Sequence, residues 1–152
     1  MVTGSHNPKD YNGFKFVLDN LPFYGEDLKE LAKEARSFSI SNIIGKKFKF
    51  NFQTEYITNL FKNFSQKKKI NIVWDSGNGS AGKVMKSLAE KIDGKAELLF
   101  TEIDGNFPNH HPDPSEPNNL QSCIKTLKKN KYDLGIAFDG DGDRIGVLDS
   151  KA

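Results

Sequence analysis

Three aspartates at alternate positions form the strongest chemical signal in the sequence. Asp139, Asp141 and Asp143 are separated by single glycines and are followed at once by Arg144. Glycine relieves the backbone constraint, so the three carboxylates can turn inward together, and their mutual repulsion favours a bound cation. Hard oxygen ligands suit Mg²⁺ or Ca²⁺ rather than zinc. The pattern predicts a divalent-metal loop, with a solvated acidic turn as the alternative.

A calcium loop of the EF-hand type does not fit the residues that follow. Such a loop needs glycine at its sixth position and glutamate at its twelfth. Counted from Asp139, those positions hold Arg144 and Ser150. The EF-hand interpretation is therefore rejected.

A serine loop lies at the other end of the sequence, over Gly4–Pro8. A serine among glycine, asparagine and proline can be presented together with backbone N–H groups that bind an anion. His6 is not expected to act as a triad base for Ser5, because consecutive side chains rarely converge. From these residues alone, an anion-binding serine loop and an ordinary turn both remain open.

Lys15 follows this loop and alternates with two phenylalanines. On a strand, alternation places it on the face opposite its aromatic neighbours. The local pattern therefore favours an ordinary solvent-facing lysine.

The remaining chemically suggestive residues favour structural roles. His110 and His111 lie in a proline-rich loop without a neighbouring cysteine, which makes a poor zinc site, so we expect an ordered loop against a cleft. Cys123 lies on an apolar helical stripe, where packing is expected rather than nucleophilic chemistry.

The elements that must position these residues follow from hydrophobic periodicity. From residue 70 onward strands and helices alternate, which favours an α/β fold with a mixed, largely parallel sheet layered with helices. Ligand groups gather at the carboxyl ends of the strands of such sheets, where Asp75 and Asp139 fall. The predicted strands span 70–74, 96–101, 134–138 and 145–148, and the helices 81–92 and 119–130.

The first third of the sequence has a different organisation. It predicts a strand over 14–18 and helices over 25–36 and 53–64, with a boundary in the aperiodic stretch 37–52. We therefore expect two domains, a partial one over 1–45 that contains the serine loop and a second over 46–152 that contains the aspartate loop.

Bulk composition excludes several classes of protein. The 152 residues carry a net charge of +2, too near balance to predict nucleic-acid binding, and the lysine clusters are interpreted as solvated surface. A single cysteine excludes an internal disulfide. No apolar run or leader predicts a membrane segment or secretion, so we expect a cytoplasmic protein with neither membrane nor nucleic acid as partner.

Four segments, taken together, resemble the phosphomannomutase/phosphoglucomutase branch of the α-D-phosphohexomutase family. They lie in the family's order and span almost the whole chain. The segments are TGSHNPKDYNGFK at 3–15, DSGNGSAG at 75–82, DGNFPNHHPDPS at 104–115 and GIAFDGDGDR at 135–144.

The resemblance implies a role for each matching residue. Ser5 is similar to the serine that the family carries as phosphoserine, with His6 and Asn7 in its loop. The three aspartates of the metal loop are similar to Mg²⁺ ligands, and the phosphate on Ser5 supplies a further oxygen. Lys15 is similar to a lysine that assists proton transfer, which differs from the solvent-facing role that its local pattern favours. Arg144 is similar to an arginine near the phosphoserine.

The implied reaction moves a phosphoryl group between O1 and O6 of a hexose through a bisphosphate intermediate, with mannose or glucose 1- or 6-phosphate as substrate. The family's four-domain cleft is matched only in part, so we expect the chain to be a fragment that is inactive alone. Separate chains supplying the missing domains are one implication. A non-catalytic remnant that retains at most Mg²⁺ binding, and a phosphoglucosamine mutase, are the alternatives.

Overall fold

The computed structural model describes residues 1–39 and 44–152. From residue 70 onward the elements follow the order that the hydrophobic pattern predicts. Residues 40–43 of the predicted boundary segment lie outside the described residues. The strands are β1 (Phe16–Leu18), β2 (Leu21–Phe23), β3 (Ile72–Asp75), β4 (Ala96–Leu99), β5 (Leu134–Phe138) and β6 (Ile145–Asp149). The helices are α1 (Glu26–Ala35), α2 (Gln53–Phe61), α3 (Gly82–Ala89) and α4 (Gln121–Asn130), the last preceded by a 3₁₀ turn over Pro117–Leu120.

A four-stranded mixed sheet forms the centre of the larger part, in the order β4-β3-β5-β6. Strand β3 pairs in parallel with β4 and β5, whereas β6 returns antiparallel to β5 after the aspartate loop. The α/β class and the mixed, largely parallel sheet are therefore confirmed. Asp75 and Asp139 both lie at the carboxyl ends of parallel strands, the position that favours ligand binding.

Alternation along β3 divides the core between the two faces of the sheet. Ile72 and Trp74 pack against Met85 of α3 on one face. Val73 packs against Cys123 and Leu127 of α4 on the other, so α3 and α4 sandwich the sheet. Cys123 is fully buried, and desolvation raises the pKa of its thiol to about 12. Its predicted packing role is confirmed.

The first part of the chain has little core of its own. Strands β1 and β2 form an isolated antiparallel hairpin, and none of the residues in α1 is buried. Large apolar side chains are exposed along this part, among them Phe14, Phe16, Val17, Leu18, Leu21 and Tyr24. A hairpin and one helix cannot enclose a hydrophobic core, because each element leaves one apolar face without a partner.

Several predicted boundaries differ from the structure. The predicted strand 14–18 begins at Phe16, since Phe14 makes only an isolated bridge to Val2. Strand β2 was not predicted, because Pro22 interrupts the strand pattern. Helix α2 ends at Phe61 rather than at residue 64, and only its Ile57 is buried.

Candidate functional site

The three aspartates of the predicted metal loop converge at the end of β5. Asp139, Asp141 and Asp143 each offer a carboxylate oxygen, and these atoms all lie within 4.8 Å of one another. Asp139 is fully buried. Oδ1 of Asp141 is also buried and has no hydrogen-bond partner among the described residues. A buried, unpaired carboxylate oxygen is costly unless a cation or donor meets it, so the residues present fit a divalent metal ion.

Arg144 holds this loop in shape. Its backbone N–H donates to Asp139 Oδ1 at 3.0 Å, and its Nε donates to Asp139 Oδ2 at 3.1 Å. Gly142 closes the turn with φ +76° and an N–H bond to the Asp139 carbonyl at 3.1 Å. The left-handed backbone at this position favours glycine, which explains one of the two glycines in the run.

The serine loop packs directly on the aspartate loop. A Cβ at Gly140 would overlap the Ser5 carbonyl oxygen and approach the His6 Cα at 3.4 Å. The other glycine of the run, Gly140, is therefore required by the close approach of two backbones. Ser5 Oγ lies 3.5 Å from Asp139 Oδ2, so the structure brings the predicted serine to the predicted metal loop.

The expectation that Ser5 and His6 would not converge was wrong. Ser5 Oγ lies 3.2 Å from His6 Nδ1, although the two residues are adjacent. Ser5 has φ +54°, a left-handed conformation that is uncommon outside glycine. This backbone geometry turns two consecutive side chains toward each other.

Thr3 links the two loops, a role that the sequence did not reveal. Its hydroxyl donates to Asp141 Oδ2 at 2.6 Å and accepts from the Ser5 N–H at 2.8 Å. Burial acts to raise the pKa of the Asp141 carboxyl, but the hydrogen bond from Thr3 and the neighbouring groups of the aspartate loop outweigh it and lower that pKa. Asp141 is therefore held in the anionic form that binds a cation.

The other predicted site residues are distributed around this centre. Lys15 Nζ lies 3.5 Å from Asp143 Oδ2, and both side chains are largely exposed. Asn7 contributes its backbone N–H, which donates to the Gly4 carbonyl at 3.0 Å and closes the serine turn. The side chain of Asn7 is exposed to solvent. Lys15 therefore reaches the metal loop, whereas Asn7 contributes to the serine turn through its backbone.

The histidine-containing loop is ordered through a buried ion pair. His110 Nε2 lies 3.1 Å from both carboxylate oxygens of Asp75, which is fully buried, and His110 Nδ1 lies 2.9 Å from the His111 carbonyl. Burial acts to lower the pKa of His110, but the hydrogen bonds to Asp75 and to that carbonyl prevail and raise it. Both ring nitrogens face acceptors, which favours the imidazolium form.

Asp113 is the second site residue that sequence reasoning missed. Arg144 Nη1 donates to Asp113 Oδ1 at 3.3 Å, and His6 Nε2 lies 3.9 Å from Asp113 Oδ2. The proline-rich spacing around Asp113 was visible in the sequence, but no local pattern indicated that it reaches both loops.

Family models match both parts of the chain. The model described as phosphoglucomutase/phosphomannomutase, alpha/beta/alpha domain I, matches residues 1–42, and the corresponding domain II model matches residues 54–152. Within the described residues, no helix is long and apolar enough to cross a membrane.

Individual proteins and structures with these names are similar over nearly the whole chain. A phosphomannomutase/phosphoglucomutase of Pseudomonas syringae is 42% identical over 148 residues, covering 97% of this chain and 32% of its own length. A phosphoglucomutase of Neisseria meningitidis is 42% identical over 150 residues, covering 97% of this chain and 33% of its own.

The crystal structure of a family protein from Burkholderia thailandensis superposes with a TM-score of 0.90 at 41% identity, covering 99% of this chain and 33% of that one. The chain thus spans about a third of the length of the relatives that it matches.

Proposed function

Because the chain belongs to the phosphoglucomutase/phosphomannomutase family, we propose that it forms the metal-and-phosphoserine half of a phosphohexomutase centre. The complete reaction transfers a phosphoryl group between O1 and O6 of mannose or glucose phosphate. The observation that carries the proposal is the packing of the Ser5 loop on the aspartate loop, which places Ser5 Oγ 3.5 Å from Asp139 Oδ2.

Ser5 carries the phosphoryl group in this proposal. The bond between phosphorus and Ser5 Oγ breaks as phosphorus bonds to a free hydroxyl oxygen of the hexose phosphate. That hydroxyl loses its proton, and the product is a hexose bisphosphate. After the bisphosphate turns around, Ser5 Oγ accepts its other phosphoryl group, and the leaving sugar oxygen recovers a proton.

The surrounding side chains prepare this transfer. Arg144 Nη2 is buried without a hydrogen-bond partner among the described residues, so it is available to a phosphoryl oxygen. In this proposal Lys15, whose Nζ lies 3.5 Å from Asp143 Oδ2, exchanges the proton of the sugar hydroxyl. Phosphoryl transfer depends mostly on such positioning and charge stabilisation.

Magnesium is the proposed cofactor, held by Asp139, Asp141 and Asp143 together with an oxygen of the Ser5 phosphate. Bound there, it supplies positive charge that offsets the charge of the phosphoryl group. The oxygen-only donor set suits this ion, and the unpaired Oδ1 of Asp141 is the observation in this chain that favours it.

We propose that the substrate-recognition surfaces of the complete centre lie in the part of the family's length that this chain does not match. We propose that separate chains carrying the remaining mutase domains complete the centre. Remote contacts to the sugar phosphate then provide binding energy that the half-site lacks.

The test combines the chain with a polypeptide that carries the unmatched two-thirds of the Burkholderia thailandensis relative. With Mg²⁺ and glucose 1,6-bisphosphate present, mass spectrometry should find phosphate on Ser5, and Ser5→Ala should abolish it. Absence of phospho-Ser5 in a mixture that has formed a complex would reject the proposal. Mg²⁺ binding without phosphorylation would favour the non-catalytic alternative.

A further inference from the structure

Asp113 lies in the proline-rich loop and contacts both the serine loop and the aspartate loop. Its carboxylate accepts from Arg144 of the aspartate loop at 3.3 Å and lies 3.9 Å from His6 Nε2 of the serine loop. The Asp113 side chain is only 14% exposed. The hydrogen bond from the Ser115 side chain lowers the pKa of the Asp113 carboxyl most, and Arg144 and His6 lower it further. Asp113 thus lies between the guanidinium of Arg144 and the imidazole of His6.

The loop around Asp113 is fixed to the sheet on both sides of this residue. Pro112 is buried, and a Cβ at Gly77 would lie 3.3 Å from its Cα. Pro114 packs on β6, since a Cβ at Gly146 would lie 2.9 Å from its Cβ. Two prolines that are seated against glycines leave Asp113 little freedom to move.

The buried ion pair adds a third attachment. His110 binds the fully buried Asp75 at the end of β3, and Asn109 Nδ2 donates to Asn78 Oδ1 at 2.8 Å in the following turn. These contacts tie the loop to the strand end that neighbours the aspartate loop. A residue that is held this firmly can transmit the position of the sheet to the groups that it contacts.

We propose that Asp113 is a positioning residue that aligns Arg144 and His6, and thereby fixes the serine loop over the metal loop. The proposal rests on the proposed function for its chemical meaning. Asp113 directs the guanidinium plane through Nη1 while Asp139 directs it through Nε. On the other side its Oδ2 lies 3.9 Å from His6 Nε2, while His6 Nδ1 faces Ser5 Oγ at 3.2 Å.

The test variant is Asp113→Asn. Its amide oxygen can still accept the bonds that Oδ1 accepts from Ser115 and from Arg144 Nη1, so the variant removes the negative charge that strengthens the bond from the guanidinium. The matched control is Glu116→Gln, which removes one negative charge from an exposed position of the same loop. Both proteins are compared with the unmodified chain by nuclear magnetic resonance, with thermal melting as the check on folding.

Two signals report the alignment without requiring phosphoryl transfer. Asp113→Asn should accelerate hydrogen exchange of the Arg144 Nε–H severalfold and weaken the nuclear Overhauser effect between His6 and Gly140. Glu116→Gln should change neither. If either signal in Asp113→Asn equals that of the control, Asp113 does not bridge the loops and the proposal is overturned.

A further variant covers the case in which Asp113→Asn disturbs the loop itself. Asp113→Glu retains the charge, so it should recover the Arg144 signal at least in part. Equal loss in both variants would assign the effect to loop packing and overturn the proposal. These signals do not depend on Ser5 phosphorylation. A failure of this proposal can therefore be distinguished from a failure of the proposed function.

Discussion

Asp141 has a buried oxygen, Oδ1, with no hydrogen-bond partner in the part of the chain that the structure describes. Its other oxygen accepts a bond from Thr3. The carboxylate is therefore oriented by one oxygen, and the second is available to a cation. This asymmetry favours a metal ligand over an acidic residue of a solvated turn, and it could not be inferred from the spacing of the aspartates.

Replacing Asp141 by asparagine should weaken Mg²⁺ binding. The change keeps the shape of the side chain but removes one charge from the ligand set, and we expect the affinity to fall by about tenfold or more. Isothermal titration of the purified chain measures it. Asp149→Asn, an exposed change at the end of β6, is the control, and an unchanged titration for Asp141→Asn would reject the metal site.

His110 should make stability depend on pH. Because its pKa is raised above 6.5 in the folded protein, the pair with Asp75 stabilises fully below that value and loses its contribution as pH rises through the folded pKa. His110→Ala should cost about 3 kcal/mol at the lower pH, since it leaves a buried charge unpaired, and less at the higher pH.

Urea unfolding of the two proteins at a pH below 6.5 and at one above the folded pKa measures this difference. His111→Ala, a change at the exposed neighbour, is the control. A cost of His110→Ala that is the same at both pH values would show that the imidazolium pair does not form.

At the scale of elements, the positions of β3 and β5 could be predicted from their apolar runs, because helices pack on both faces of these two strands. The same runs predicted where Asp75 and Asp139 emerge. Strand β2 and the convergence of Ser5 with His6 were missed for one shared reason. A proline in a strand and a left-handed serine both depart from local preferences, and only surrounding structure compensates for such departures.

The contact between the serine loop and the aspartate loop depends on the absence of a side chain at Gly140. Gly140→Ala would place a methyl group against the Ser5 carbonyl oxygen, and backbone cannot rotate away as a flexible side chain can. We expect the serine loop to leave the aspartate loop, with faster amide exchange at residues 3–8 and slower phosphorylation of Ser5 in the completed mixture.

The control for this change is Gly45→Ala, because a Cβ at Gly45 meets open space. Hydrogen exchange followed by mass spectrometry compares the two variants. Unchanged exchange at residues 3–8 in Gly140→Ala would mean that the two loops do not pack together as described.

At the scale of the whole molecule, the two parts differ in how completely they are enclosed. Strands β3 and β5 at the centre of the larger sheet are covered by helices on both faces, whereas the hairpin and α1 leave apolar side chains such as Val17 and Leu21 exposed. The family model names domain I as an alpha/beta/alpha unit, and one hairpin with one helix is too little to build those layers. A partial domain over residues 1–45 stays a prediction from the sequence, whereas the extent of the exposed apolar surface required the structure.

The isolated chain should not interconvert mannose 1-phosphate and mannose 6-phosphate, even with Mg²⁺ and a bisphosphate activator. It spans about a third of its relatives, and the surfaces that bind the remote phosphate and the sugar provide much of the energy for transfer. A coupled assay of product formation measures the rate, with the full-length relative as positive control. Turnover by the chain alone that Ser5→Ala abolishes would show that the half-site is a sufficient catalyst, contrary to this expectation.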